Sequence, residues 1–219
     1  MKKQTKSFAV LGLGRFGSNI ARTLEEYGAQ VLAVDSREER VEEIADEVTH
    51  AVQADVTDLS ALRSMGIADF DGVIVAIGEN METSIITIMH LKDLGAKHII
   101  AKAQNELHAK VLKRIGANRV ILPEKDMAVR VGHGLVNGNI LDYIELSEEY
   151  GIYEIAAPKE WQGNTLVQLN LRARLGINVM AVHKNGGEFV VSPGAEYLVS
   201  AGDQMVVIAR KDIVDQLVD

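Results

Sequence analysis

Apolar residues cluster in short runs along the first 125 positions, and longer polar-apolar segments separate them. The runs are Phe8–Gly12, Val31–Asp35, Ala51–Asp55, Gly72–Gly78, His98–Ala103 and Val120–Pro123. Each is rich in Val, Ile and Ala and lacks strict alternation, which fits strands buried on both faces of a parallel sheet. The intervening segments, near Arg15–Tyr27, Arg37–Asp46, Leu59–Met65, Asn80–Leu94 and Glu106–Ile115, have helical spacing. Several of them run into a glycine, Gly28, Gly66, Gly95 or Gly116, where a left-handed residue is expected to close a helix. Six strands alternating with five helical segments predict an α/β doubly wound parallel sheet with right-handed crossovers over residues 6–125.

Residues 126–138, D-M-A-V-R-V-G-H-G-L-V-N-G, have roughly helical apolar spacing but carry three glycines. Each glycine costs about 1 kcal/mol relative to Ala inside a helix, so the segment reads as a weak or close-packing connecting helix, or a hinge. Beyond it the pattern changes to a small α+β lobe over residues 139–219. Its strands are expected near Ile140–Leu146, Ile152–Ala156, Val179–His183, Phe189–Val191 and Gln204–Arg210. Its helices are expected at Thr165–Leu175 and Asp212–Val218, and Asn185-Gly186-Gly187 signals a hairpin turn.

The first unit carries the chemistry. Its opening strand runs into Gly12-x-Gly14-x-x-Gly17, and a second strand ends in Asp35, eighteen residues after Gly17. In that pattern Gly12 makes the tight turn, Gly14 lets backbone approach a pyrophosphate, and Gly17 lets the helix pack on the sheet. The helix N-terminus favours phosphate oxygens, and Asp35 accepts from ribose hydroxyls. A Rossmann nucleotide site is the expectation, with its ligand beyond the carboxyl ends of the strands.

Each strand end presents candidates there. Arg15 and Phe16 lie inside the glycine loop; Arg15 either adds a charge-assisted phosphate contact or lies in solvent. Ser36 and Arg37 follow Asp35, and the Arg37 guanidinium is a candidate to stack on adenine. Asp55 either accepts from the adenine amino group, with Val56 against the ring, or caps the next helix. Ile77, Gly78 and Glu79 end the fourth run, Gly78 permitting close approach to sugar and phosphate, and Asn80 reads as a helix cap. Lys102, Ala103 and Gln104 end the fifth, with Lys102 a phosphate ligand. His108 is a candidate for a terminal phosphate or a metal, or a plain surface residue. Glu124 and Asp126 follow the sixth and either serve a divalent cation together with phosphate oxygens or compensate a helix dipole.

Composition narrows the functional classes. The 219 residues contain no cysteine, so disulfides, thiolate metal sites and a thiol nucleophile are excluded, in keeping with a cytoplasmic setting. The N-terminus M-K-K-Q-T-K-S is basic but has no apolar h-region, which argues against a signal peptide, and no apolar run approaches the 18 residues of a membrane span. Net charge is −8, which disfavours general nucleic-acid binding. Residues 139–219 hold 6 basic against 12 acidic side chains, so most of the acidic excess sits in the lobe. The motifs G-x-x-x-x-G-K-[ST], G-x-S-x-G and H-E-x-x-H are absent. Lys159, His183 and Lys184 have no constellation around them, so a binding site is expected rather than a reaction site. The competing readings are a small NAD(H)-dependent oxidoreductase or redox sensor and, behind it, a nucleotide-responsive DNA-binding regulator.

The segments G-L-G-R-F-G, V-L-A-V-D, V-I-V-A-I-G, A-K-A-Q, K-R-I-G-A-N-R-V-I-L-P-E-K-D-M and L-N-L-R-A-R-L-G-I-N-V-M-A-V together resemble the cytosolic RCK-domain gating subunits of bacterial Trk/Ktr potassium-uptake systems. The likeness covers essentially the whole chain and fits the single-repeat, Ktr-like form. It implies dimers assembling into an octameric ring on the cytoplasmic face of a membrane-embedded potassium-translocating subunit. ATP and ADP, with NAD and NADH in relatives, would bias the ring between shapes. Nucleotide contacts carry over to Arg15, Asp35, Arg37, Asp55, Val56, Ile77, Gly78, Glu79, Lys102, Ala103, Gln104 and His108. Glu124 matches the acid that meets the γ-phosphate and a divalent cation, Mg or Ca, between subunits. Cyclic di-AMP, bound by the lobe in Gram-positive relatives, would lie near Leu166, Leu171, Arg172, Asn178 and Pro193.

Overall fold

The computed structural model describes residues 5–78, 80–136 and 140–218. The chain forms two compact units, one ending at Pro123 and the other beginning at Glu124. In the first, β1 (Ser7–Leu11), α1 (Arg15–Glu26), β2 (Gln30–Asp35), α2 (Glu38–Glu42), β3 (His50–Gln53), α3 (Leu59–Ser64), β4 (Gly72–Val75), α4 (Met81–Asp93), β5 (Ile99–Lys102), α5 (Glu106–Arg114) and β6 (Arg119–Ile121) follow one another. The six strands pair in parallel in the order β3-β2-β1-β4-β5-β6. That is the Rossmann order, which reverses between β1 and β4 and opens a crevice there. Alternate residues of each strand feed two cores. Ala9, Leu11, Val34 and Val75 face one, while Val10, Ala33 and Ile74 face the other.

The segment expected as one helix over residues 37–46 is α2 followed by a separate 3-10 turn, Ala45–Glu47. The break buries Ile44 completely in a stretch dense with acids. Helices α1, α3, α4 and α5 do run into Gly28, Gly66, Gly95 and Gly116, all with positive φ.

The connecting helix α6 (Pro123–Val136) begins three residues before its expected start, with proline at its first position, where the missing N–H costs nothing. Gly132 and Gly134 lie inside it; residues 137–139 fall outside the described residues. The second unit continues with β7 (Ile140–Glu145), β8 (Tyr150–Ala156), α7 (Leu166–Leu169), α8 (Leu171–Leu175), β9 (Asn178–His183), β10 (Phe189–Val191), β11 (Gln204–Arg210) and α9 (Lys211–Val218). Its sheet is antiparallel, in the order β10-β9-β11-β8-β7.

The expected helix over residues 165–175 is split at Asn170, whose φ is +45°. The split has a packing cause. Leu169 and Leu171 are both buried, and two residues apart on a continuous helix they would face nearly opposite ways. A left-handed asparagine between them turns both inward.

Candidate functional site

The glycine loop leaves β1 at Leu11 and is held from both sides. Gly12 N–H donates to Val34 O at 2.8 Å, and Ala76 N–H donates to Leu11 O at 2.8 Å. Gly12 sits at φ +97°. A Cβ on Gly17 would lie 1.8 Å from Gly12 O, whereas one on Gly14 would meet nothing within 4 Å. The turn is therefore closed on the sheet side and open at Gly14.

The start of α1 differs from those of α3, α4 and α5 along the same sheet edge; α2 also lacks a side-chain cap, but its first turn carries Glu38 and Glu39. Helices α3, α4 and α5 are capped by the side chains of Asp58, Asn80 and Asn105. Helix α1 has Gly14 at its cap position, no side-chain cap and no acid in its first turn. Its first N–H groups carry the helix's partial positive charge toward the crevice. Arg15 is exposed at this point, and Phe16 is half-buried against the core on the α1 side. The Lys102 ammonium lies 5.9 Å from the Phe16 ring centroid, within cation–π reach. It also stands 3.7 Å from where a Gly78 Cβ would be. The glycine loop and the ends of β4 and β5 thus converge on Lys102.

Asp35 is nearly buried, and its carboxylate shapes the loop itself. Oδ2 accepts from Leu13 N–H at 2.7 Å and from the Arg40 guanidinium at 3.3 Å, while Oδ1 accepts from Arg37 N–H at 2.9 Å. A carboxylate offers about four lone-pair sites, so capacity for a ribose hydroxyl remains. Ser36 and Arg37 are exposed beyond it, and Ser36 O accepts from the Gln53 amide at 3.1 Å.

Other candidates fall differently from the sequence reading. Asp55 is exposed and accepts from Thr57 N–H and Oγ1 at 2.8 and 2.7 Å, an Asx turn; the cap of α3 is Asp58. Val56 has its side chain in the core rather than on an open platform. Ile77 packs partly against that core, Gly78 is exposed, and Ala103 is buried. Glu79 lies outside the described residues. The Gln104 side chain donates to Gly78 O, tying the β4 and β5 loops together.

His108 was expected as a ligand contact or a surface residue. It is fully buried, and burial pushes its pKa down. Both ring nitrogens are engaged inside the protein, Nε2 with Ser84 Oγ at 2.9 Å and Nδ1 with Gln104 N–H at 3.3 Å. Ser84 and Arg40 were not anticipated. Neither stands in a motif, and only the fold brings them to the site.

Glu124 is exposed in the first turn of α6, with Asp126 in the same turn. Among the described residues, no group of three or more His, Asp and Glu is gathered to hold a metal ion. In the second unit Arg172 and Asn178 are exposed, Pro193 is half-buried, and Leu166 leans on the core. Leu171 is a core residue, turned inward by the Asn170 break. No helix among the described residues is long and apolar enough to cross a membrane.

Residues 8–123 match the TrkA-N domain, and residues 151–219 match the TrkA-C domain. The chain is 49% identical over 203 residues to Ktr system potassium uptake protein C of Bacillus subtilis, covering 93% of this chain and 91% of that protein. It is 44% identical to Ktr system potassium uptake protein A of the same organism, covering 95% and 93%. The RCK domain of GsuK superposes with a TM-score of 0.68 at 18% identity, over 100% of this chain and 48% of that one. The GsuK channel bound to NAD gives 0.67 at 17% identity, over 100% and 40%. With a doubly wound first unit, an antiparallel lobe and these matches along its length, the chain belongs to the TrkA-N/TrkA-C family alongside the Ktr potassium-uptake proteins.

Proposed function

We propose that this chain is a nucleotide-sensing cytosolic regulatory subunit of a potassium-uptake system, and not an enzyme. The observation that carries the reading is the start of α1, uncapped and free of acid, beneath a glycine whose missing Cβ leaves open space. Its relatives are named as potassium-uptake proteins, and neighbours of the same fold are described bound to NAD and to ADP. The diphosphate of ATP or ADP, or of NAD or NADH, is assigned to the Gly12–Gly17 loop. Lys102 and Arg15 supply phosphate charge, Asp35 takes the ribose, and Arg37 and Asp55 border the adenine.

ATP differs from ADP by its γ-phosphate. In this reading Arg15 of one subunit and Glu124 of a neighbour, with a divalent cation (Mg or Ca) on the phosphate oxygens, close around it. The homo-oligomeric ring, octameric by the family likeness, then favours one shape and biases a membrane-embedded potassium-translocating subunit. A ligand shifts that balance only by its differential affinity for the two shapes. In the lobe, Arg172, Asn178 and Pro193 remain as the approach for cyclic di-AMP, with Leu171 supporting them from the core.

Calorimetric titration of nucleotide-stripped protein with ATP, ADP, NAD and NADH, with Mg or Ca present, tests the reading. Tight ATP and ADP binding supports it. Tight NAD(H) binding without ATP binding, or measurable hydride transfer, favours the oxidoreductase or redox-sensor alternative. Arg15→Ala is expected to shrink the ATP/ADP affinity ratio about tenfold while weakening ADP only about threefold. An equal loss for both nucleotides removes the γ-phosphate bridge from the account.

A further inference from the structure

The nucleotide reading assigns no task to His108, yet the ring is set in a defined chain of hydrogen bonds. Ser84 Oγ donates to Met81 O at 2.8 Å, so its one hydrogen is spent. Its 2.9 Å contact with the ring must then be a bond received from Nε2–H. Nδ1 accepts from Gln104 N–H at 3.3 Å and therefore carries no hydrogen. The two contacts agree on a single neutral tautomer. The His108 backbone N–H is fixed too, donating to Asn105 Oδ1 at 2.9 Å. From Gln104 the chain continues through its side chain to Gly78 O, in the turn after β4.

One path therefore runs from the first turn of α4, through His108, to the turn after β5 and back to the turn after β4. It joins the two loops that flank the crevice opposite the glycine loop. A leucine would fill the same space. Only a side chain with an acceptor near Nδ1 also holds the Gln104 N–H.

We propose that His108 is a positioning residue. In one neutral tautomer it holds the Gln104 turn against Gly78, and so sets the gap between the β4 and β5 loops that receives the sugar and phosphates of a bound nucleotide. This rests on the nucleotide reading above. His108 touches no ligand in this role, because the ring is fully buried behind Gln104.

The test compares His108→Leu with His108→Asn, whose side-chain oxygen can stand near Nδ1. ADP affinity is measured by calorimetry, hydrogen exchange is followed at the Gln104 amide, and the wild-type tautomer is read from long-range 1H–15N NMR. Loss of a single hydrogen bond sets the expected scale. His108→Leu is expected to bind ADP about tenfold more weakly and to speed exchange at Gln104, and His108→Asn to stay within about threefold of wild type. Combined with Gln104→Ala, His108→Leu is expected to cost less than the two single losses together, as for residues acting through one another. Should His108→Leu fail to fold, His108→Asn and Ser84→Ala carry the comparison. Ser84→Ala, by freeing Nε2, is expected to speed Gln104 exchange more than His108→Asn does.

Equal ADP affinity in the Leu and Asn variants, additive losses with Gln104→Ala, or a proton found on Nδ1 overturns the proposal. A wild-type chain that binds no ADP sinks the nucleotide reading instead. The tautomer and the Gln104 exchange rate still decide for or against His108 in that event.

Discussion

The two walls of the crevice are built from different materials. The α1 wall is backbone: Gly12, Gly14 and Gly17, with Leu13 N–H held by Asp35 and a helix start that no side chain covers. The β4–β5 wall is side chain: Asn80 and Asn105 cap their helices, Gln104 spans to Gly78, and His108 and Ser84 brace Gln104 from behind. The first wall is specified by what must be absent, a Cβ or a cap. The second is specified by polar partners that must each be present in the right orientation. The backbone wall should therefore fail abruptly on substitution, and the side-chain wall by degrees.

The largest expected effect tests the backbone wall against itself. In Gly17→Ala the new Cβ would stand 1.8 Å from Gly12 O, a backbone atom that cannot swing aside. Overpacking of this kind costs about 1–3 kcal/mol, a clash with fixed backbone lies at the upper end of that range, and nucleotide binding should vanish with it. In Gly14→Ala the Cβ meets no protein atom within 4 Å, and φ is −69°, which alanine adopts freely. Denaturant unfolding should place that variant within about 0.5 kcal/mol of wild type, while its ADP affinity falls at least tenfold because the methyl takes phosphate space. If Gly14→Ala binds ADP normally, the open side of the loop is not where phosphate sits.

The same contrast explains what the sequence disclosed. Glycines at fixed spacing followed by Asp35 announce the α1 wall, since few residues satisfy those steric demands and they lie close together along the chain. The parallel, doubly wound sheet was readable for a similar reason: short two-face-buried runs separated by helical segments allow few topologies. The side-chain wall left little trace. His108 and Ser84 are 24 positions apart, and nothing in either neighbourhood marks a buried pair. Asp55 and Asp58 are equally good caps by type; Asp58 directly precedes the helix at Leu59, and Asp55 is taken up instead by the turn it closes with Thr57. Asn170 read as one more helical residue because its left-handed backbone is a consequence of burying Leu169 and Leu171 together.

A smaller effect is expected within the side-chain wall. Asn80 Oδ1 accepts from Glu82 N–H at 2.8 Å at the start of α4. Asn80→Ala removes that cap and should cost about 1 kcal/mol in thermal or denaturant unfolding. The bared N–H groups can turn to water, so ADP affinity should change by about threefold or less. A loss as large as that of Gly14→Ala would mean that the α4 cap bears on the phosphate site as directly as the glycine loop does.

The smallest effect is in the pH dependence of stability, and it isolates His108. Burial holds the ring's pKa below its ordinary value of 6.5. In the unfolded chain the same ring titrates near 6.5. Above that pH neither state carries the proton, and the contribution of the buried neutral ring is fully present. As pH falls below about 6.5 the unfolded chain takes up a proton that the folded chain refuses, so stability declines until the folded value is passed. The carboxylates held low by their hydrogen bonds, Asp58 by Ser60 and Asp142 by Arg130, act in a separate and lower window, below the ordinary Asp range. Denaturant unfolding of wild type and His108→Asn at a series of pH values between 7.5 and about 5 should therefore show a shallower decline in the variant on the acid side of 6.5 and parallel behaviour above it. An equal decline in both would mean that the ring takes up its proton without cost in the folded state, and a ring that does so cannot be accepting the Gln104 N–H on Nδ1.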